Sequence, residues 1–366
     1  MKILMLAWRD MKHPQRGGAE VVTDIYLAGL AKKGHEVTLF SSRFPDSPEE
    51  EEYNGYKIIR KGGKLGVYLA GLMYAQKHQK ELDIIIDQVN TIPFMTPLAI
   101  NKNKRVAYFN QLCKDVWFYE TPFPIALVGN VIESIYLKFY KNTRILTISE
   151  STKKDMIRDA WVKPENIFIS QMQIDFKPIK YVEKKENQFV FCARIVPSKR
   201  PSDCIKALSL IENKETKLYI IGDGDAKYKK QLEKLIDSLN LKERVIFTGR
   251  VSREKRNSIM TKSLAILVTS VREGWGLIVT ESNANGTLAI TYNVPGLIDA
   301  NKTGFITEKN ENNPKALAKY MNNLTPDKPE SKVILNRQGK NSLSFAKDHS
   351  NWNYQVEALE KWLKHQ

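Results

Sequence analysis

Residues 270–282 read SVREGWGLIVTES and hold two glutamates, Glu273 and Glu281, eight positions apart. Between them stand Gly274, Trp275 and Gly276, then an apolar run at 277–279. The preceding SLAILVTS has the length and composition of a buried strand. A helix opening at Gly276 or Leu277 would present unpaired backbone N–H groups and the positive end of its dipole, which suits an anion. Glycine on either side of Trp275 lets the backbone approach a ligand closely. Glu273 then sits at the turn and Glu281 about one turn into the helix. Carboxylates accept hydrogen bonds from paired hydroxyls, so a sugar-bearing anion fits this order of residues. Taken alone, Glu281 reads more often as a helix-surface residue.

A second cluster is ARIVPSKRP at 193–201. Arg194 and Lys199 flank a short loop after the strand-like FVFCARI, and Arg200 adds charge. Cations at the carboxyl end of a strand suit a diphosphate and can neutralise it as it departs. The plain alternative is solvated cations at a helix start, although cations there oppose the helix dipole. In the amino-terminal half, HPQRGGAEVV places Gly17 and Gly18 at a helix start. No G-x-G-x-x-G follows the first strand directly, which argues against a nicotinamide dehydrogenase. GDGD at 222–225 contains Asp223 and Asp225, a spacing open to metal. Asp and Gly after a strand are the usual turn formers, so a turn is the stronger expectation. The five histidines form no cluster, and neither zinc spacing nor a Ser/His/Asp arrangement is present. No metal is expected.

These residues must be positioned by the elements around them. Strand-like runs (KILMLAW, EVTLFSS, YKIIR, DIIID, RVAYF, RILTIS) alternate with helical segments, the pattern of a parallel sheet covered on both faces. The stretch 174–188, with Pro178 and a charge cluster, reads as a linker. The alternation then restarts. The expected organisation is α/β: a doubly wound domain over 1–175, a second over 189–346, and a helix at 347–366 returning to the first. A length of 366 residues agrees with two domains. Ligands of such sheets bind beyond the carboxyl ends of the strands.

The three cysteines, Cys113, Cys192 and Cys204, lack metal-like spacing and read as free thiols in a reducing, cytoplasmic setting. The opening MKILMLAWRD is too short and polar for a signal peptide, and no run is long enough to cross a bilayer. The net charge of +16 attracts anions, unless it reflects only a lysine-rich surface.

With these residues assembled, the chain resembles the retaining glycosyltransferases of family 4, which have the GT-B fold of two Rossmann-like domains facing across a cleft. The resemblance spans essentially the full length. Glu273 through Glu281 match the family's E-x7-E pattern, Arg194 and Lys199 its Arg-x4-Lys pair, and residues 17–20 its GGAE turn. GDGD, FTGRVS and NKTGFI follow in the family's order. The resemblance implies an amino-terminal acceptor domain and a carboxyl-terminal domain that holds a nucleotide sugar. Glu281 would bond the ribose hydroxyls and Glu273 those of the donor sugar. Backbone amides around Gly276 and Leu277, with Arg194 and Lys199, would hold the diphosphate. Arg250 and Val251 would edge the base, and Gly17 and Gly18 would close over the donor. No metal and no cofactor beyond the donor is implied. The reaction would move a hexosyl unit to a hydroxyl with retention, without Glu273 as a nucleophile. Asn110, in VAYFNQLCKD, stands where the family has a histidine. It can bond a hydroxyl but carries no proton at neutral pH. Arg200 replaces a common glycine, and VPGLID at 294–299 has one glycine where two are frequent. The implied catalytic set is Glu273, Arg194, Lys199 and Asn110.

The acceptor is written more faintly. Residues 116–144 and 60–80 mix apolar and basic side chains, as segments lying in an anionic membrane interface do. A lipid-linked acceptor or growing glycan fits, at the inner face of the cell membrane. Equally, both segments read as helices packing apolar faces on the sheet. Nucleic acid is not expected as a partner. The competing readings are a nucleotide-sugar epimerase of the same fold and a non-enzymatic binder of anionic lipid or nucleic acid.

Overall fold

In a computed structural model that describes residues 1–365, the chain divides into two compact units. The first comprises Met1–Lys114, Val128–Gln171 and the stretch from Asn351; the second comprises Asp115–Leu127 and Met172–Ser350. Residues 115–127, within the amino-terminal span read from the sequence, thus group with the second unit.

The first unit is built on eight strands: β1 (Lys2–Leu6), β2 (Glu36–Ser41), β3 (Glu50–Tyr53), β4 (Tyr56–Arg60), β5 (Ile84–Val89), β6 (Arg105–Phe109), β7 (Arg144–Thr147) and β8 (Ile167–Ile169). Their order is β3-β4-β2-β1-β5-β6-β7-β8, with every neighbouring pair parallel except β3 and β4. Continuous apolar runs such as Ile84, Ile85 and Ile86 are buried because helices cover both faces of a parallel sheet. The helix Gly18–Lys32 buries Val22, Tyr26, Leu27 and Leu30. The chain turns out of it through Gly34 at φ 84°, a conformation glycine adopts without strain. The strand β3 carries the acidic EEEY and has no apolar signal of its own. It is fixed by charge: Arg60 of β4 is fully buried and bonds Glu51 at 2.9 Å and Asp10 at 2.7 Å. The helix Trp352–Lys364 packs on Gly18–Lys32, with Val356 filling the space above Gly29. Glu360 there meets His35 at 2.9 Å.

The second unit has β9 (Gln188–Cys192), β10 (Lys217–Ile221), β11 (Val245–Gly249), β12 (Ala265–Val268), β13 (Leu288–Thr291) and β14 (Phe305–Ile306). The order is β11-β10-β9-β12-β13-β14, all parallel. This is the 3-2-1-4-5-6 order of dinucleotide-binding folds, whose winding reverses between its first and fourth strands. The reversal here falls between β9 and β12. The expected α/β class with two doubly wound sheets is therefore the observed one.

The stretch 174–188, read as a linker, holds no helix or strand before β9 begins at Gln188, but it is packed within the second unit. Tyr181 lies against Gly286 and Gly339 and donates to Asn336 Oδ1 at 2.8 Å. Lys184 is buried; its Nζ donates to the Thr261 carbonyl at 2.6 Å and to Thr287 Oγ1 at 2.7 Å. Burial with only neutral partners pushes the Lys184 ammonium down to about 7. Below that pH both folded and unfolded chains hold the proton. Between about 7 and the ordinary 10.5 only the unfolded chain does, so stability rises with pH through that window. Lys184→Met should flatten this rise by up to about 1.4 kcal/mol per pH unit in urea unfolding at pH 6 to 9. An unchanged slope would remove Lys184 as its source.

Candidate functional site

Both clusters singled out in the sequence leave the sheet at its reversal point. From β9 the chain runs through Arg194 and Ile195 to Lys199, and from β12 through Thr269 and Ser270 to Glu273 and Gly276. The two exits are tied together. Val271 N–H donates to the Ser198 carbonyl at 2.9 Å, and Thr269 Oγ1 donates to the Lys199 carbonyl at 2.9 Å. Lys199 Nζ forms an ion pair with Glu273 Oε1, which also accepts Ser270 Oγ at 2.7 Å. Both side chains of the pair are about one-fifth exposed, at 19% and 18%. Arg194 is exposed, and its side chain makes no hydrogen bond or ion pair with any described residue.

Glycine backbones set this geometry from below. A Cβ on Gly222 would fall on the Ala193 carbonyl oxygen, and one on Gly224 on that of Ile195. The GDGD segment is thus a turn packed under the Arg194 loop, with Ile195 N–H donating to the Asp223 carbonyl at 2.9 Å. Asp223 pairs with Lys229 at 2.8 Å, and Asp225 caps the helix Ala226–Ser238 through Tyr228 N–H at 2.8 Å. Those carboxylates serve the turn. No group of three His, Cys, Asp or Glu able to hold a metal occurs among the described residues. On the other side, Glu273 N–H donates to the Pro295 carbonyl at 3.2 Å, and a Cβ on Gly296, at φ 81°, would strike the Glu273 carbonyl oxygen. The single glycine of VPGLID is the one this contact demands.

Gly276 precedes the helix Leu277–Ala284 at φ 91°, and no side chain caps that helix start. Its glycine is required by the backbone angle and by Leu297, whose Cδ2 would lie 2.7 Å from an added Cβ. Internal packing therefore accounts for a residue expected to serve ligand approach. Trp275 is buried and donates to Thr280 Oγ1 at 2.8 Å. Arg200, expected to add free charge, is engaged inside the unit. It sits at φ 51°, pairs with Asp203 at 2.6 Å and lies over the Tyr292 ring at 4.8 Å. The positive φ explains why glycine suits the position, and those contacts explain how arginine occupies it.

Glu281 is not grouped with Glu273 by any direct contact. Its Oε1 meets Arg256 Nη2 at 3.1 Å, from the helix Arg253–Lys262. Burial raises the Glu281 carboxyl above its ordinary range, and Arg256 opposes that rise. Cys192, at the end of β9, is pushed up to about 12 by burial and stays a thiol. Arg250 is exposed and Val251 half-buried, just past β11. Arg256 was not readable from the sequence: in SREKRN it is one basic residue among three, with no spacing to mark it.

In the first unit, Gly17 and Gly18 are exposed at the start of the helix Gly18–Lys32. Glu20 accepts the Gly17 N–H at 2.5 Å and Arg9 Nε at 3.0 Å. Asn110 follows β6, and its carbonyl accepts Thr152 Oγ1 at 3.2 Å. The loop beyond it is held by buried Glu133, which accepts the N–H groups of Cys113 and Lys114 at 2.7 and 2.8 Å. Asn110 Nδ2 is buried without a hydrogen-bond partner, as is Gln111 Oε1. Nearby Thr91, past β5, is held at φ 85°, a strained angle for a β-branched residue. Neither Gln111 nor Thr91 carried a signal in the sequence.

Residues 173–342 match the family described as Glycosyl transferases group 1, and residues 16–171 match Glycosyltransferase Family 4. An uncharacterized glycosyltransferase of Methanocaldococcus jannaschii is 24% identical over 328 residues, covering 82% of each chain. Sucrose-phosphate synthase of Thermosynechococcus elongatus superposes with a TM-score of 0.79 at 17% identity, covering 99% of this chain and 98% of its own. HepE of Anabaena, solved in complex with UDP and glucose, gives 0.73 at 15% identity with full coverage of both chains. At such identities the superpositions speak for the fold.

Gly296→Ala tests the clamp under Glu273. A left-handed backbone at alanine costs on the order of 1–2 kcal/mol before the steric overlap is added. Denaturant unfolding should lose at least that much, and wild-type stability would mean that Gly296 does not hold Glu273 as described.

Proposed function

From the premise that the chain is a glycosyltransferase of the family 4 type with GT-B architecture, we propose that it moves a hexosyl unit from a nucleoside-diphosphate sugar to a hydroxyl, with retention and without metal. The observation that carries this reading is the Lys199–Glu273 pair at the reversal point of a 3-2-1-4-5-6 sheet. That is where such sheets bind the phosphates of nucleotides. Arg194, free of internal partners, and Lys199 supply two cations for the pyrophosphate. The uncapped start of the helix Leu277–Ala284 supplies backbone N–H groups near Gly276 and Leu277. When phosphate takes Lys199, Glu273 is released to accept hydroxyls of the donor sugar. Glu281 accepts the ribose hydroxyls, and Arg250 and Val251 edge the base.

In the reaction, the bond between the anomeric carbon and the phosphate oxygen breaks. The acceptor oxygen bonds the same face of that carbon, and its proton passes to the departing phosphate. Lys199, Arg194 and the helix dipole stabilise the charge that gathers on the leaving group. Asn110 cannot act as a base. Its unpartnered Nδ2 is suited to donate to a sugar hydroxyl.

A lipid-linked acceptor is supported by the helix Phe123–Phe139. Val128, Val131, Ile132, Ile135 and Phe139 recur on it at helical spacing, each about half exposed. Ordinary surface helices bury such a stripe. Exposed Trp161 stands close by, with Lys138 and Lys141 over its ring at 5.1 and 5.8 Å. An apolar face bordered by cations and an amphipathic aromatic suits an anionic membrane surface. No helix among the described residues is long and apolar enough to cross a membrane.

UDP-glucose is the first donor to test, given HepE. Lys199→Ala should lower turnover at least ~100-fold, the scale of losing one preorganised group on developing charge, with thermal stability nearly unchanged. Wild-type turnover would remove Lys199 from the site. Phosphatidylglycerol vesicles should sediment the protein at low salt, and Ile132→Asp should release it. Equal partition to phosphatidylcholine vesicles, or none to either, would defeat the membrane reading.

A further inference from the structure

Arg256 and Glu281 form an ion pair, 3.1 Å between Nη2 and Oε1, and neither side chain makes a hydrogen bond with any other described residue. The pair joins two helices, Arg253–Lys262 and Leu277–Ala284, beside the end of β9. Both side chains are about four-fifths enclosed, at 23% and 22% exposure. Arg256 has no second acceptor to hold it: its Nε is buried and unpartnered. A guanidinium that is enclosed, incompletely satisfied and attached to one carboxylate is poorly explained by local stability, since buried ion pairs tend to be replaceable by apolar packing. On the carboxylate, the ion pair runs through Oε1.

We propose that Arg256 is a positioning residue for the nucleotide: by pairing with Glu281 Oε1 from the neighbouring helix it holds that carboxylate in place to accept the ribose hydroxyls. This rests on the reading of Glu281 as the ribose acceptor. A carboxylate accepts two hydroxyl donors, whereas a protonated carboxyl loses acceptor capacity and offers a donor of its own. Burial favours the protonated form here, and Asp175 adds to that tendency. Arg256 is the largest opposing influence, with Arg253 contributing less from the same helix. Cys192, the remaining titratable neighbour, stays a neutral thiol through the accessible range. Without Arg256 the carboxyl would take up a proton at a higher pH than in the wild type. Nucleotide binding would then weaken as pH falls and recover as it rises.

The test is calorimetric titration of the full chain with UDP, GDP and ADP between pH 5.5 and 9, followed with whichever binds best. Arg256→Met retains the aliphatic stem without the unpaired Nε–H, so packing is kept. Its binding should fall several-fold relative to wild type toward pH 5.5 and approach wild type by pH 8.5 to 9. Arg256→Lys should restore the wild-type acid limb. In a Glu281→Gln background, adding Arg256→Met should change affinity less than two-fold, because no titration remains to be tuned. Weakening equal at every pH, or wild-type affinity throughout, would overturn the role of Arg256. If Arg256→Met melts early, the Arg256→Gln profile is decisive by the same criteria. Glu281→Gln with undiminished affinity would instead overturn the ribose reading, and failure of all three nucleotides to bind the wild type would overturn the donor assignment itself.

Discussion

The second unit depends on one constraint: two adjacent parallel strands must end side by side, and the chains leaving them must be tied together without closing over their ends. Strands β9 and β12 meet this at the point where the winding reverses, since the connections leave to opposite sides and no crossover covers their ends. What fixes the exits is mostly backbone. Gly222 and Gly224 support the Arg194 loop, Gly296 supports the Glu273 turn, and Thr269 ties one exit to the other. Side-chain chemistry is laid on this frame. The ion pair of Lys199 with Glu273 is affordable because it stays partly solvated, so neither charge bears the full desolvation of a buried site.

The same constraint explains which glycines are needed. Gly276, Gly222 and Gly296 all adopt positive φ, and each answers to a neighbour inside the unit. Arg200 shows the complementary case. It adopts a left-handed angle that glycine would take freely, and it is held there by Asp203 and by the Tyr292 ring. Strain and compensating contact occur in one residue, next to Lys199.

The sequence carried the alternation of strands and helices, the two-sheet class and the two strand-end clusters, because buried parallel strands are continuous apolar runs and turns are rich in Gly, Asp and Pro. It could not carry β3, whose EEEY is held in place by the buried guanidinium of Arg60, a partner supplied by tertiary structure. Nor could it carry the packed course of 174–187, where charged letters conceal a lysine enclosed by Thr261 and Thr287. At the site, Glu273 and Lys199 were legible by type and spacing, whereas Arg256 was not. A partner three-dimensionally adjacent through two helices leaves no period in the chain. Arg200's partners, Asp203 and Tyr292, were likewise invisible in its letter, which announces only charge.

The two acids of the opening segment end in different electrostatic settings, and this follows from their positions on the helix Leu277–Ala284. Glu273 precedes the helix, next to its positive end and a lysine, in contact with solvent. Glu281 lies five residues in from Gly276, where the dipole's influence has fallen off and the surroundings are enclosed. Burial raises the Glu281 carboxyl, and Arg256 on the neighbouring helix is the largest influence opposing that rise. A spacing of eight therefore separates a carboxylate paired with a lysine at the strand end from one paired with a guanidinium between two helices.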